Sequence, residues 1–525
     1  MRDYDAIVIG AGNGGLTAAT ALQRGGARTL LLERHNIPGG CATSFVRGEF
    51  EFEVALHQLS GLGTEDKPFI MRKIFADLGV MDKVEFVQEG ELYRFVKPGV
   101  IDITLPASWR GLNTTLAEAF PAQADNIAAF LKVCETISME NFLALPNARR
   151  SNDEALLKKT CPTYIQYGQR DSKTVLNEFF DDELLKTVIA AYWCYIGLPP
   201  KDIPFVDLAI MIYAYAAFKP WHIKGGSQAL SSALLESFLE AGGEVRFNCA
   251  AEKILTSPPD TEQGKPVIRG VRTEFGDELS CHFVMSNASS PVTYYDLLDT
   301  DKNQDVIKQD FKSRRLGTSA FVIYLGLDCT PESLGINSAS TFIIDELDEE
   351  KIHDCMETMN PPVASMMTCY NFDDPTFAPP GKSQVVLVCL QYGDAWEQVP
   401  AEDYAETKYA YADELINYTE RAFPGIREHI QEIEVATPLT MMRYLNTPGG
   451  AIYGFKQTQQ DGELYRDRLA SVKGLFQAGS WESMGGFQPT YMAGNSTARA
   501  ILKKLAVLNI KPSPSTQTHQ EASHA

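Results

Sequence analysis

The chain is short of basic residues, of paired cysteines and of long apolar runs. Lys and Arg number 47 against 68 Asp and Glu, a formal net charge of -21. Phosphate backbones are held by clustered Lys and Arg, so this balance argues against a nucleic-acid partner. It leaves a membrane surface open, because a local patch can differ from the total. Ten cysteines run from Cys41 to Cys389 without one Cys-x-x-Cys pair. The metal-ligand and redox-motif readings therefore fail, no metal is expected, and free thiols in a reducing cytosol are preferred. The most apolar stretch, Phe205 to Phe218, is too short to span a bilayer and contains Asp207. The first strand follows so closely on the N-terminus that no room is left for a signal peptide, and the expected setting is cytoplasmic. No internal repeat and no second glycine fingerprint is found.

What is present is concentrated at the start. Asp5 to Ile9 is an apolar run of strand character. Gly-x-Gly-x-x-Gly follows at Gly10, Gly12 and Gly15, with Asn13 and Gly14 between. Leu16 to Leu22 reads as a helix, and Arg28 to Leu32 as a second strand ending on Glu33. A glycine triplet that follows a strand, opens a helix and precedes an acid is a strong dinucleotide signal. Gly10 allows the tight turn, Gly12 admits a pyrophosphate, and Gly15 lets helix and strand pack closely. The helix N-terminus offers free N–H groups to phosphate. Glu33 can accept hydrogen bonds from a ribose. Six residues later Gly39-Gly40 suggests backbone held close to something flat or charged.

With 525 residues the chain has room for about two to four domains. Glu91 to Val96 and Ile101 to Leu105 alternate around Pro98-Gly99 and read as a hairpin. From Thr115 to Leu235 the pattern is mostly helical, and 179–218 is dense in aromatics. Further strands are expected at 244–247, 271–275, 283–287, 318–328 and 384–392. Helices are expected at 229–240, 403–422 and 489–505. Residues 510–525 have the composition of a disordered tail.

On these motifs the chain resembles the flavin-dependent desaturase, isomerase and saturase family, which includes phytoene desaturases, carotenoid isomerases and retinol saturases. The resemblance rests on the N-terminal unit with Gly39-Gly40 and on Pro220 to Leu230. It extends to Val284 to Ala288, Ala436 to Thr440 and Gly449 to Gly454, and to Gly474-Leu475-Phe476-Gln477-Ala478-Gly479 through Ala498. It spans residues 5 to about 505 in the expected order. It implies an α/β fold: a doubly wound, Rossmann-type FAD-binding domain, discontinuous, with an inserted α+β substrate domain. The FAD segments would be 1–90, 221–295 and 436–508. The substrate domain would comprise 91–220 and 296–435, with a tail at 509–525.

The resemblance also implies site residues. Arg34 and Cys41 would join the glycines and Glu33 at the cofactor. Ala251 would take the place where backbone groups meet adenine, and Met484, Gly485 and Gly486 would lie beside the flavin ring. Gly479 is followed by Ser480 where the family often has an acid. Cys41 stands where desaturases and amine oxidases commonly have Arg, closer to the saturase and isomerase branches. Flavin disulfide reductases carry a second Cys five residues on, but here that position is Val46. No Cys lies between Gly474 and Gly494, so non-covalent FAD is expected, with external NAD(P)H left as a candidate donor.

His57, 17 residues past Gly40, is a candidate proton donor at the flavin, balanced against a structural role. Glu482 and Arg443 are weaker catalytic candidates. The expected activity is an FAD-dependent oxidoreductase that saturates or desaturates a carbon–carbon bond in a long apolar, isoprenoid-like or retinoid-like small molecule. Alternatives are a redox-neutral cis–trans isomerase using reduced FAD, a flavin amine oxidase, and a flavoprotein without turnover. Peripheral membrane contact is expected, because an apolar substrate has to enter from somewhere apolar.

Overall fold

The structure, a computed structural model, describes residues 2–151, 153–258, 264–300, 304–462 and 472–508. The expected disordered tail lies outside them. Two seven-stranded sheets organise the molecule. The first has a parallel centre in the order Thr29–Leu32, Tyr4–Ile9, Glu278–Ser286, Leu475–Gln477, with Glu244–Arg246 beyond Thr29–Leu32. Ala251–Ser257 and Val267–Thr273 extend it antiparallel along the first half of Glu278–Ser286. Strands covered on both faces read as continuous apolar runs. Accordingly Ala6 and Val8 face a core with the helices Asn13–Arg24, Gly226–Glu240 and Phe487–Val507, while Ile7 and Ile9 face Ile254, Val271 and Tyr294. Strands from the start, middle and end of the chain thus build one doubly wound, Rossmann-type sheet.

The second sheet runs in the order Ile430–Ala436, Ser319–Leu327, Ser383–Gln391, Ala364–Cys369, Ser340–Ile344, Glu91–Lys97, Ile101–Pro106. The expected hairpin is its edge, with Phe95 opposite Ile103. Val322, Val386, Val388 and Leu390 pack against a helical layer that includes Ala124–Met139, Glu183–Ala190 and Phe205–Phe218. Phe321, Ile323, Leu325 and Leu387 face the helix Tyr404–Glu420. The apolar run Phe205–Phe218 is a helix of this layer, mostly buried against the sheet. Among the described residues no helix is long and apolar enough to cross a membrane.

The strands Ser340–Ile344, Ala364–Cys369 and Ile430–Ala436 were not anticipated. Each is short, and Ser340-Thr341 and Ser365 put polar residues where apolar alternation is sought. Their identity comes from partners far away in sequence, since Phe342 pairs with Phe95 and Val435 with Ile323. The stretch expected as mostly helical between Thr115 and Leu235 is broken into short helices, one turn of it π-helical at Glu140–Ala144, and it includes the strand Trp221–Ile223, which pairs with Phe86–Gln88.

Candidate active site

Ile9 pairs with Leu32 and with Ser286, and Ser286 with Gln477, so four parallel strands end side by side. Open parallel sheets take their ligands outside these carboxyl ends. The residues that follow are Gly10, Glu33, Asn287 and Ala478-Gly479. Gly10 turns with φ 90°. A Cβ on Gly15 would sit 1.8 Å from the Gly10 carbonyl, and one on Gly494 2.3 Å from that of Gly14. The first and last helices therefore close on this turn through glycine alone. Gly39 and Gly40 have φ 125° and 62°, the Gly39 N–H donates to Ala11 O at 2.8 Å, and a Cβ on Gly40 would come 3.3 Å from Gly12 Cα. The two glycine segments lie flat on one another. Gly12 precedes the first helix without a side-chain cap, which leaves its leading N–H groups for an anion.

Glu33 is buried, accepting from Ala11 N at 2.6 Å and from His35 N at 2.8 Å. An ionised carboxylate has about four acceptor positions, so two remain for a ribose. Beside it Cys249 N donates to Glu33 O at 2.9 Å, and the strand beginning at Ala251 follows two residues on. Arg34 is exposed and donates to the carbonyls of Arg443 and Tyr444. Asn13 Oδ1, Asn287 Oδ1 and Gln477 Nε2 are buried without a partner among the described residues. Orphans of this kind are costly, about 1–3 kcal/mol each, and their gathering at the strand ends fits a polar ligand with a pyrophosphate and a ribose. The residues present therefore fit a dinucleotide flavin.

Beyond the cradle His57, Tyr195, Tyr215 and Tyr453 gather into an aromatic chamber wall. Gly479 (φ 100°) packs on Asn287, and the Ser480 carbonyl lies where a Cβ on Gly454 would be 2.6 Å away. Met484, Gly485 and Gly486 enter the last helix, and Gly485 lies flat on Tyr453, whose Cβ a Cβ there would meet at 2.6 Å. Across the space His57 stacks on Tyr195, with ring centroids 5.7 Å apart and planes 9° apart, and its Nδ1 is 2.6 Å from Thr368 Oγ1. Burial pushes the Cys41 thiol up to about 11, holds His57 down to about 4, and raises Tyr195 and Tyr453. These four side chains nonetheless keep accessible surface. Desolvation disfavours every charged form there. The chamber wall they form is aromatic and uncharged at neutral pH, and His57 is a neutral imidazole.

The other two candidates have partners of their own. Glu482 is half-buried and accepts from Ser290 Oγ at 2.8 Å, in the turn after Gly479. Arg443 is exposed and belongs with Arg34, near Glu33. The geometry therefore does not bring the Arg443 guanidinium together with His57. Sequence reasoning missed Thr368, Glu53 and the role of Asn287. Glu53 is fully buried and accepts from Ser227 N at 2.6 Å, Ser227 Oγ at 2.7 Å and Leu56 N at 3.0 Å, which pins the Gly226–Glu240 helix to the segment carrying His57. Asn287 was readable, as the residue after an apolar strand. Thr368 was not, lying 311 residues from His57. At a distant sheet edge the ligand-type atoms of Asp328, Cys329 and His429 lie within 4.8 Å of one another.

The fold and cradle define a flavoprotein of the doubly wound type, and the family profile for flavin containing amine oxidoreductases matches residues 14–502. The chain belongs to that family. Within it the chain is 24% identical over 480 residues to an all-trans-retinol 13,14-reductase of Danio rerio, covering 86% of this chain and 78% of that one. It is 26% identical over 494 residues to a chloroplastic prolycopene isomerase of Daucus carota, covering 91% and 76%. An inactive all-trans-retinol 13,14-reductase of Danio rerio is 25% identical, covering 96% and 86%. Among solved structures, an oxidoreductase of Methanosarcina mazei superposes with a TM-score of 0.63 at 15% identity, covering 94% of this chain and all of that one. Cyclohexylamine oxidase of Brevibacterium oxydans gives 0.59 at 14% identity, covering 96% and 100%.

Proposed function

We propose that this protein is an enzyme that binds FAD non-covalently and adds or removes hydrogen across a carbon–carbon double bond of an apolar polyene. The observation that carries this reading is the chamber: aromatic, uncharged, and walled on one side by a neutral His57. Gly10, Gly12, Gly15, Gly39, Gly40 and Glu33 would hold the nucleotide, with Ala251 at the adenine and Gly485 and Gly486 at the ring. When bound, FAD supplies a two-electron hydride donor or acceptor. Tyr195, Tyr215 and Tyr453 would hold the polyene and exclude water, and His57 would pass or receive the proton. A neutral imidazole suits this task, because it can give a proton at one nitrogen while taking one at the other. The names of the two kinds of curated relative support the substrate class. One of them favours a second reading, cis–trans isomerisation of a polyene without net redox change. External NAD(P)H remains the proposed source of electrons for net reduction.

An apolar substrate arrives from a membrane, and we place the contact at Met139, Leu143 and Ile165, which are 41%, 64% and 40% exposed. They belong to one surface, because Tyr213 reaches Met139 Sδ and Glu140 accepts from Thr163 N and Tyr164 N. Beneath it Phe69 stacks on Phe218 and meets Phe142 edge to face. The test is an organic extract of holoprotein purified without detergent, read by mass spectrometry. Conjugated isoprenoid compounds above the level in Gly12→Val protein are expected. An extract with no apolar compound above that control, together with flavin reduction by a simple amine, would overturn the reading.

A further inference from the structure

Behind His57 the second sheet carries two hydroxyls in one row. Thr368, which meets His57 Nδ1, is the direct cross-strand partner of Ser340. Directly opposite residues of an antiparallel pair point to the same face, with Cβ atoms about 4.5–5.5 Å apart. Ser340 in turn lines a separate small cavity of about 20 Å³, shared with Gln58, Glu89, Glu91, Leu92 and Asp373. The phenol of Tyr195, the residue stacked on His57, also lies beside Ser340. On this cavity Glu89 Oε1 and Glu91 Oε2 are buried without a partner among the described residues. Glu89 and Ser340 are each only 3% exposed. A polar void with orphaned acceptors is a place for ordered water.

The rest of Glu89 is fixed. Gln58 Nε2 donates to its other oxygen and to Leu92 O, while Tyr192 donates to Gln58 Oε1 at 3.2 Å. Burial, with Asp373 and Glu91 close by, holds the Glu89 carboxyl well above the usual range and so favours its protonated form. Asp373, half-buried beside the exposed Phe372, is pushed up to about 6 by burial and by Glu91. The cavity therefore has an acid in its depth and a second, easily titrated acid nearer the surface.

We propose that this cavity is the proton store of the active site, and that Glu89 supplies protons to His57 through the hydroxyls of Ser340 and Thr368. The proposal rests on the reading that His57 hands a proton to the substrate. In one passage the His57 Nε2–H bond breaks toward a substrate carbon as Nδ1–H forms from Thr368. The Thr368 O–H re-forms from Ser340, and the Ser340 O–H from the Glu89 carboxylic acid, each across a bridging water. Glu89 is left as a carboxylate and regains its proton from bulk water past Asp373. His57 stays neutral and ends as the Nδ1–H tautomer; between turnovers Nδ1 gives its proton to water while Nε2 takes one from water, which restores the starting tautomer. In the opposite direction the same groups carry a proton out.

Glu89→Gln keeps size and hydrogen bonds and removes the acid, and Thr368→Val keeps shape and removes the hydroxyl. With all-trans-retinol and prolycopene as probes, each is expected to lower turnover about tenfold or more, as loss of a proton path does. KM should be unchanged, the solvent deuterium isotope effect larger, and the double variant no slower than the slower single one. Independently of turnover, infrared spectra should show a protonated carboxyl band in the parent that is lost in Glu89→Gln. Turnover of Glu89→Gln within about twofold of the parent, well short of that loss, would overturn the proposal, and so would a band that survives the substitution. If His57→Ala also turns over normally, the function reading fails with it. If His57→Ala is inactive while Glu89→Gln is not, the relay alone fails.

Discussion

The cradle and the chamber are built by opposite means. The cradle is backbone: glycines that admit no Cβ, strand ends and helix N-termini, most of it supplied by residues 4–40 and 474–498. The chamber is side chains, and its contacts join residues hundreds of positions apart, such as His57 to Thr368 and Tyr370 to Leu56. The difference teaches which positions tolerate change. The glycine contacts of the cradle admit no added atom, whereas the rings and hydroxyls of the aromatic wall can be trimmed without disturbing the fold.

The sharpest break in that comparison is Gly12→Val. The new side chain would collide with Asn287, whose Nδ2 a Cβ would already meet at 2.8 Å, and fill the space of a pyrophosphate. The expected outcome is protein that releases no yellow FAD on acid precipitation. A variant with full flavin would place the cofactor elsewhere. His57→Ala should do the reverse, keeping flavin while turnover falls about 10²- to 10⁴-fold, the range for a lost general acid. Turnover within threefold, far short of that range, would make His57 structural.

The same contrast marks what was legible from the sequence. The strand, glycine triplet and Glu33 lie within 33 residues, so local spacing was enough to reach the cradle and its sheet. Gly39-Gly40 and Gly479 were read as cofactor positions, and they lie on that cradle. The strands Ser340–Ile344 and Ala364–Cys369 have no such local mark. Thr368 and Ser340 become neighbours only when the sheet sets them opposite one another. Arg443 was suggested by a motif near the cofactor, yet its side chain is exposed, because the helix Pro438–Leu445 offers that position to solvent.

A smaller effect concerns pH. The folded His57 pKa of about 4 lies below the ordinary 6.5, so the unfolded chain binds the proton first as pH falls. The stability held by the neutral ring is complete above pH 6.5 and is lost between 6.5 and 4. His57→Gln should melt with a shallower dependence across that window, and parallel melting curves would contradict the assignment. Leu143→Glu is expected to weaken flotation with liposomes while leaving flavin content unchanged; equal flotation would move the membrane contact elsewhere. The smallest effect is expected for Arg443→Ala, an exposed change of about 0.5 kcal/mol or less in stability, with turnover close to the parent. A large loss there would show that the chamber extends further than the aromatic wall.

The most direct measurement is an anaerobic mixing experiment on the holoprotein with its flavin reduced by dithionite. On adding all-trans-retinol or prolycopene, the account predicts that the oxidised flavin spectrum returns as a product two hydrogens heavier appears, or, in the isomerase reading, that a cis–trans isomer of equal mass forms while the flavin stays reduced. Polyenes recovered unchanged with the flavin still reduced, while oxidised holoprotein is bleached by cyclohexylamine, would contradict it.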